Sequence, residues 1–225
     1  MRNYIKSLIR RSFPKLFRKI TQYRLINSRL PEYFKNDLMR LNSHHTVIDL
    51  GANIGNITEI MAKTGANVIA FEPSSRAFEQ LTKYVKPYSN VTIYNQAAGI
   101  QERRVKLFLN QETREKPGLD LTQSSSLFGE KPNVSCNIYD ETLEIDFADY
   151  VKNLDTEVEI LKVDIEGYEI PLINHLINTD AISLINNIYV ETHEIQFPSL
   201  LQDTLLLKKR IEKLGISSKF RFDWH

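Results

Sequence analysis

The feature that most constrains the fold is a buried strand that runs through a glycine turn into a helix, residues 46–58 (TVIDLGANIGNIT), followed by a second apolar strand, residues 68–73 (VIAFEP). Gly51 and Gly55 allow the backbone to turn tightly and to approach a ligand closely. Glu72 follows Gly51 by 21 positions and lies at the tip of the second strand. A carboxylate at this spacing can accept hydrogen bonds from both ribose hydroxyls of a nucleotide-like ligand. The pattern therefore predicts a site for a nucleoside-containing cofactor.

The details of the turn favour one such cofactor over another. A dinucleotide site needs a G-x-G-x-x-G sequence, which lets a pyrophosphate lie on the N-terminus of the helix. Here the glycines are spaced G-x-x-x-G, and Asn53 and Asn56 stand where further glycines would be needed. Asp49, two residues before the turn, would repel a pyrophosphate but suits an ammonium or a sulfonium group. The turn therefore favours S-adenosylmethionine over NAD, with a ligand-free βαβ core as the alternative.

The whole sequence predicts an α/β fold with a doubly wound, mostly parallel, Rossmann-like sheet, because strands and helices alternate along the chain. The predicted strands are 46–50, 67–72, 91–96, 159–164 and 187–192, and the predicted helices are 31–42, 56–64, 75–86, 146–153, 167–178 and 198–214. Residues 104–110 and 134–139 predict an inserted antiparallel hairpin, joined by a long polar loop that is functional or disordered. Residues 219–224 alternate aromatic and polar side chains and predict a half-buried final strand.

The N-terminal segment differs in charge from the rest of the chain. Residues 1–30 contain nine lysines and arginines and no acid, whereas the remaining residues carry 20 basic and 28 acidic side chains, a net charge of −8. Apolar residues recur in this segment at helical spacing, and Pro14 interrupts the pattern. We therefore predict a basic, amphipathic, helical arm over residues 1–42 and a single cofactor-binding domain over residues 43–225.

Three roles fit this arm. It can lie on an anionic membrane, where each lysine or arginine near the surface contributes about 1 kcal/mol. It can be an organellar transit peptide, or it can pack on its own domain or on a second copy in a homo-oligomer. Nucleic acid is not expected as a partner, because the basic residues are interleaved with aliphatic ones and the rest is acidic. The single cysteine, Cys136, favours a reducing compartment, so we expect a cytoplasmic protein, at the cytoplasmic face of a membrane if the arm binds lipid.

The tips of the predicted strands carry the candidate site, because ligands of an open parallel sheet bind outside the carboxyl ends of its strands. The third, fourth and fifth strands are followed, in order, by Gln96 and Ala97, by Asp164 and Glu166, and by Glu191 and His193. The first pair can contact adenine. If the fourth and fifth strands are neighbours, three carboxylates and an imidazole share one cleft, and either a cation lies among them or at least one of their pKa values is displaced. That cation is the cofactor, a lysine or arginine, or a divalent metal such as Mg²⁺ or Mn²⁺ on Asp164, Glu191 and His193.

Six segments in this order resemble the FkbM-type methyltransferases, a family of class I S-adenosylmethionine-dependent enzymes that act mostly on hydroxyl groups: residues 47–58, 70–73, 95–99, 124–127, 161–169 and 189–193. The sequence KVDIEG is the most specific of them, and the resemblance runs from about residue 45 to the C-terminus. Residues 124–126 are serines that, by this resemblance, help to close the pocket. The expected cofactor-binding residues are Asp49, Gly51, Asn53, Gly55, Glu72, Pro73, Gln96, Ala97, Ser125 and Asp164.

The resemblance implies methyl transfer from S-adenosylmethionine to a hydroxyl group. The expected acceptor is a sugar of a glycan or glycolipid precursor, with a small-molecule or polyketide hydroxyl as the alternative; neither follows from the fold. A base that takes the hydroxyl proton typically contributes about 10²–10⁴-fold. His193 is the first candidate because its ordinary pKa lies near neutrality, and Glu166 and Glu191 would orient it. The alternatives are a structural His193 and, for the whole chain, a non-catalytic cofactor-binding scaffold.

Overall fold

The computed structural model of the protein describes residues 30–110, 134–194 and 197–222. Within these ranges the α-helices are α1 (Glu32–Arg40), α2 (Asn56–Thr64), α3 (Ser75–Val85), α4 (Phe147–Lys152), α5 (Glu169–Asn178) and α6 (Leu201–Lys213). The strands are β1 (Thr46–Leu50), β2 (Asn67–Phe71), β3 (Val91–Tyr94), β4 (Ala97–Gly99), β5 (Arg103–Asn110), β6 (Val134–Asp146), β7 (Val158–Val163), β8 (Ile185–Val190) and β9 (Phe220–Arg221). Short 3₁₀ helices precede β8, α6 and β9, at Ala181–Leu184, Pro198–Leu200 and Ser217–Lys219.

The main sheet has the strand order β3-β2-β1-β7-β8-β9, and each of its neighbouring pairs is parallel. The chain builds outward from β1 in one direction through β2 and β3, and then in the other direction through β7 and β8. Strand β1 is therefore central, and all five of its residues are buried. The predicted parallel α/β sheet is confirmed. Its strand order reverses between β1 and β7, which is where an open sheet forms a crevice for ligands.

A second sheet of three strands, in the order β4-β6-β5, holds the insertion. Strands β5 and β6 are antiparallel, as the predicted hairpin requires. The hairpin differs from the prediction in two ways. Strand β6 continues to Asp146, well beyond the predicted end at residue 139, and Ala97–Gly99 forms a short strand that pairs in parallel with it. Residues 111–133, which include the long loop and Ser125, lie outside the described residues.

Each face of the main sheet packs against its own hydrophobic core, because successive residues of a strand point to opposite faces. In β1, Val47 belongs to one core and Ile48 to the other. Helices α1, α2 and α3 cover the Val47 side, and helices α4, α5 and α6 cover the Ile48 side. The sheet is therefore doubly wound, as the alternating pattern predicts.

Helix α1, the C-terminal part of the predicted arm, packs on the main domain. Phe34 and Leu38 are almost completely buried, and the Phe34 ring meets the Tyr189 ring edge-on with centroids 4.7 Å apart. The basic residues 1–29 lie outside the described residues, so the role of the arm stays a prediction. None of the helices in the described part of the chain is long and apolar enough to cross a membrane.

Candidate active site

A cavity of about 260 Å³ opens at the carboxyl ends of β1, β2, β7 and β8. Most of the residues predicted to bind a cofactor or to act in catalysis line it. Its wall consists of Gly51, Asn53, Phe71, Glu72, Pro73, Gln96, Ala97, Ala98, Leu107, Asp164, Ile165, Glu166 and Glu191. Asp49, Gly55 and His193 do not line the cavity, and Ser125 lies outside the described residues.

Gly51 permits the close approach of two strand ends at the floor of the cavity. Its φ angle is +73°, and a Cβ atom built there would lie 1.7 Å from the Asp164 carbonyl oxygen. No side chain other than hydrogen fits at this position. The N–H groups of Gly51 and Ala52 both donate to the Phe71 carbonyl oxygen at 3.0 Å, so the turn is fixed to β2. This cradle of backbone leaves room for a ligand directly over the strand ends.

Gly55 takes the left-handed conformation that the predicted tight turn needs, but it does not line the cavity. Its φ angle is +96°, and an added Cβ atom would lie 2.7 Å from Leu81 Cδ1 in helix α3. The glycine therefore permits the close packing of the α2 N-terminus on α3, and the structure places it away from the cavity wall. A direct contact between Gly55 and the cofactor is not supported by this geometry.

Glu72 is the carboxylate best placed to hold a ribose. Its Oε2 accepts a hydrogen bond from the Asn53 N–H, and its Oε1 accepts one from the Ser74 N–H, both at 2.8 Å. These bonds orient the carboxylate at the cavity wall and leave further lone pairs for two hydroxyl groups. Only 6% of the residue is exposed, and burial raises the pKa of Glu72 from 4.5 to about 7. Burial of this charge destabilises the folded protein, so a contribution to stability does not explain why a glutamate stands here, whereas ligand binding does.

Asp49 contacts a lysine, contrary to the prediction of a cofactor contact. It is completely buried, accepts a 2.6 Å hydrogen bond from Thr58 Oγ1, and lies 3.1 Å from the Lys162 Nζ atom. Lys162 also lies 3.3 Å from Asp164 Oδ2 and donates to the Gly51 carbonyl oxygen at 2.9 Å. Burial alone would lower the pKa of Lys162, but the charges of Asp49 and then Asp164 raise it above its ordinary value. Lys162 is thus a buried cation that ties β1 to β7 beneath the cavity.

The remaining cofactor candidates form a partly apolar wall. Pro73, Gln96 and Ala97 lie there as predicted, beside Phe71 and Leu107. Leu107 comes from strand β5 of the insertion, so the second sheet closes one side of the cavity. Such a wall of apolar side chains with one amide suits a flat heteroaromatic ring such as adenine.

The acids at the tips of β7 and β8 converge as predicted, because these strands are neighbours in the sheet. Asp164, Glu166 and Glu191 line the cavity. His193 Nε2 lies 3.5 Å from Glu166 Oε2 and 3.8 Å from Asp164 Oδ1. Burial and, next, the charge of Asp164 raise the pKa of Glu191 to about 7. We call these four side chains the acid cluster.

His193 is 4% exposed and lies behind the cavity wall. Burial alone would lower its pKa, but Glu169, then Glu166 and Asp164, outweigh burial and raise the pKa of His193 to about 9. An imidazole with this pKa is protonated near neutral pH and has no free lone pair to accept a proton. The role of His193 as the catalytic base therefore stays a prediction, and it requires that a ligand first changes these surroundings.

Glu169, at the start of α5, is a functional candidate that sequence reasoning missed. Its carboxylate is 2% exposed and lies 3.0 Å from His193 Nδ1. The same Oε1 atom accepts hydrogen bonds from the N–H groups of Ile165 and Gly167 at 3.0 and 3.1 Å. It thereby folds the DIEGYE segment into a tight turn, in which Glu166 takes a positive φ of 57°. The available signal was an acid two residues after a glycine, directly behind the acidic strand tip.

A sequence model of the Methyltransferase FkbM domain matches residues 49–212 of this chain. The chain belongs to the FkbM methyltransferase family. The matched residues contain the glycine turn, Glu72, the acid cluster and the insertion. The family consists of methyltransferases, and membership implies S-adenosylmethionine as the methyl donor.

Comparison with solved structures agrees with the fold, and comparison with curated proteins finds short matches to other methyltransferases. The chain is similar in fold to the crystal structure of Methyltransferase FkbM from Methylobacillus flagellatus KT, with 18% identity and a TM-score of 0.50 over 84% of this chain and 40% of that chain. It is 39% identical over 59 residues to ribosomal RNA small subunit methyltransferase A of Bacillus mycoides, covering 26% of this chain and 20% of that protein. It is 33% identical over 86 residues to the protein of the same name from Pediococcus pentosaceus, and this match covers 33% of this chain and 29% of that protein. The chain thus spans less than a third of these curated relatives.

Proposed function

We propose that this methyltransferase is an O-methyltransferase, which transfers the methyl group of S-adenosylmethionine to a hydroxyl group of its acceptor. The observation that carries the proposal is the division of one cavity into two chemically different halves. Around Glu72 and Gln96 the wall offers a ribose-binding carboxylate beside apolar surface. Around Asp164, Glu166 and Glu191 the described part of the wall offers three carboxylates next to Ile165.

The residues of the first half fit the methyl donor. Glu72 is held by two backbone N–H groups so that its remaining lone pairs can accept from ribose hydroxyls. The Gly51 turn lets a ligand approach the backbone directly. When bound, S-adenosylmethionine supplies an electrophilic methyl group on a sulfonium, whose positive charge the nearby carboxylates would stabilise.

The second half suits an acceptor that must lose a proton. As the new carbon–oxygen bond forms and the carbon–sulfur bond breaks, the hydroxyl proton has to be taken up. Carboxylates accept hydrogen bonds from hydroxyl groups and so align the acceptor oxygen, which is the larger contribution to the rate. We propose that the acid cluster performs both tasks, with Glu166, Glu191 and His193 as the acceptor-side residues.

We further propose a sugar hydroxyl as the acceptor, in a glycan or glycolipid precursor. The support is the family resemblance together with a cavity wall rich in carboxylates, which sugar-binding sites use to hold neighbouring hydroxyls. A precursor anchored in an anionic membrane would agree with nine basic residues and no acid in residues 1–30, and would place the enzyme at the cytoplasmic membrane face. A small-molecule or polyketide hydroxyl is the alternative acceptor.

The proposal is tested with S-adenosylmethionine labelled in its methyl group. The purified protein is incubated with four acceptor panels: sugars and lipid-linked sugars, phenolic and polyketide alcohols, amines, and RNA oligonucleotides. We expect label only in methyl ethers, and loss of at least a hundredfold in turnover in Glu191→Gln. Label in amines or RNA bases would contradict O-methylation. Binding of the donor without turnover on any panel would favour a non-catalytic scaffold.

A further inference from the structure

The acid cluster contains three donors that lie together as metal ligands do. One atom each of Asp164, Glu191 and His193 lies within 4.8 Å of the others, and no other such group occurs in the described part of the chain. Octahedral ligands about 2.1 Å from an ion are about 3.0 Å apart when adjacent and about 4.2 Å apart when opposite. The three donors would have to move by only some tenths of an ångström to reach an ion.

His193 gives a second, independent observation. Only 4% of the side chain is exposed, and its Nδ1 atom lies 3.0 Å from Glu169 Oε1. Nε2 is thereby turned toward the cluster, yet its nearest described carboxylate oxygens stand at 3.5 and 3.8 Å, too far for good hydrogen bonds. One nitrogen of His193 therefore lies next to a carboxylate while the other faces acids across a gap, and metal-binding histidines have a similar environment.

The buried lysine leaves one oxygen of Asp164 for an ion. Lys162 lies 3.3 Å from Oδ2, whereas Oδ1 faces His193. Among the described residues of the cavity wall, four are carboxylates, three of them on this side, and none is a lysine or an arginine. Lys162 compensates part of the charge of these carboxylates from behind the wall, and a small cation would compensate more of it.

We propose that Asp164, Glu191 and His193 bind a divalent cation of the Mn²⁺ or Mg²⁺ type on the acceptor side of the cavity. Two carboxylates and one imidazole suit such an ion, and Glu169 is the residue that positions His193 for it. The role of the ion rests on the proposed function: it would bind the acceptor hydroxyl and stabilise its deprotonated form, while Glu166, the acid of the cluster that is not a ligand, would take up the proton. In this arrangement His193 is a ligand, not the proton acceptor that the sequence favours.

The site is tested with Mn²⁺ alone, on full-length protein freed of metal with a chelator, without methyl donor or acceptor. Electron paramagnetic resonance is used to count bound Mn²⁺, and spin-echo modulation to detect a nitrogen ligand. We expect one Mn²⁺ per chain with nitrogen modulation from His193. His193→Asn should remove the modulation and weaken binding at least tenfold, and Glu191→Gln should weaken binding at least tenfold with the modulation retained.

The matched control is His175→Asn, because His175 also faces a carboxylate, with Nε2 2.9 Å from Asp146 Oδ1, but outside the cluster. This variant should bind Mn²⁺ as the wild type does. Wild-type protein that binds no Mn²⁺, or binds it without nitrogen modulation, would overturn the proposal. If His193→Asn does not fold, equal binding by Glu191→Gln and wild type overturns it as well. No step of this experiment involves methyl transfer. A negative result here therefore leaves the proposed O-methyltransferase activity standing, and a negative result in the activity assay leaves the proposed metal site standing.

Discussion

Replacing Glu72 by glutamine should change how the stability of the protein depends on pH. Burial raises the pKa of Glu72 from 4.5 to about 7, so the folded chain holds this proton more tightly than the unfolded chain does. The corresponding stability is fully present below pH 4.5 and is lost as the pH rises through 7. The whole difference amounts to about 3 kcal/mol. The residue is only 6% exposed, so solvent screening reduces this value little.

The assay is urea denaturation of wild type and Glu72→Gln between pH 5 and pH 8.5. Glutamine loses one of the two backbone hydrogen bonds to the carboxylate, which shifts its stability by a nearly constant amount. The informative quantity is therefore the difference in unfolding free energy between the two proteins as a function of pH. Over this pH range we expect the wild type to lose about 2.5 kcal/mol relative to the variant, most of it below pH 7.

The control is Glu79→Gln, which changes an exposed glutamate on the same side of the sheet in helix α3. This variant shows what the loss of a glutamate does on this side of the sheet without the buried surroundings of Glu72. Parallel stability curves for wild type and Glu72→Gln would refute the reasoning. They would mean that the hydrogen bonds from the two backbone N–H groups fully offset the free energy of burying the charged carboxylate, so that the pKa of Glu72 is not raised.

Two further substitutions test the floor of the cavity. Gly51→Ala should destabilise the protein by at least about 2 kcal/mol more than Gly65→Ala. Both glycines have positive φ angles, but an added Cβ atom would strike a backbone atom at Gly51, whereas nothing lies within 4 Å of it at Gly65. Equal losses of stability in thermal unfolding would contradict this prediction. Lys162→Met should cost about 3–5 kcal/mol in urea denaturation, because Asp49 is left buried without its cation, and adding Asp49→Asn should recover part of the loss. A loss below about 1 kcal/mol for Lys162→Met would show that the ion pair does not hold the strand ends together.

The fold of the main domain follows from local patterns in the sequence. Strands β1, β2 and β7 are short apolar runs, and the helices between them carry apolar residues at helical spacing, so their order predicts the parallel sheet. Strand β4 could not be predicted in this way. It has three residues, and its pairing with residues 144–146 of β6 depends on a tertiary contact and not on local propensity.

The candidate site was predictable wherever position alone decides it. Residues at neighbouring strand tips must converge, which is why Glu72, Asp164, Glu166 and Glu191 were expected together and lie on one cavity wall. The direction of a side chain was not predictable. Asp49 precedes the glycine turn, yet it points below the cavity toward Lys162.

Asp49 and Lys162 lie side by side in the register of β1 and β7, which local sequence does not reveal. Leu107 and Glu169 were missed for the same kind of reason. Leu107 reaches the cavity only because the second sheet folds back over it, and Glu169 contacts the ring of His193, which follows strand β8.

Binding of S-adenosylhomocysteine, the demethylated donor, tests the central claim most directly, because it needs neither an acceptor nor a metal. Titration calorimetry of wild type and Glu72→Ala compares the affinities. Each ribose hydroxyl bonded to the carboxylate contributes about 1.5–3 kcal/mol, so the loss of both predicts binding at least about 100-fold weaker in the variant. If wild-type protein gives no binding heat, or if Glu72→Ala binds as tightly as wild type, the cavity over the strand ends is not the donor site.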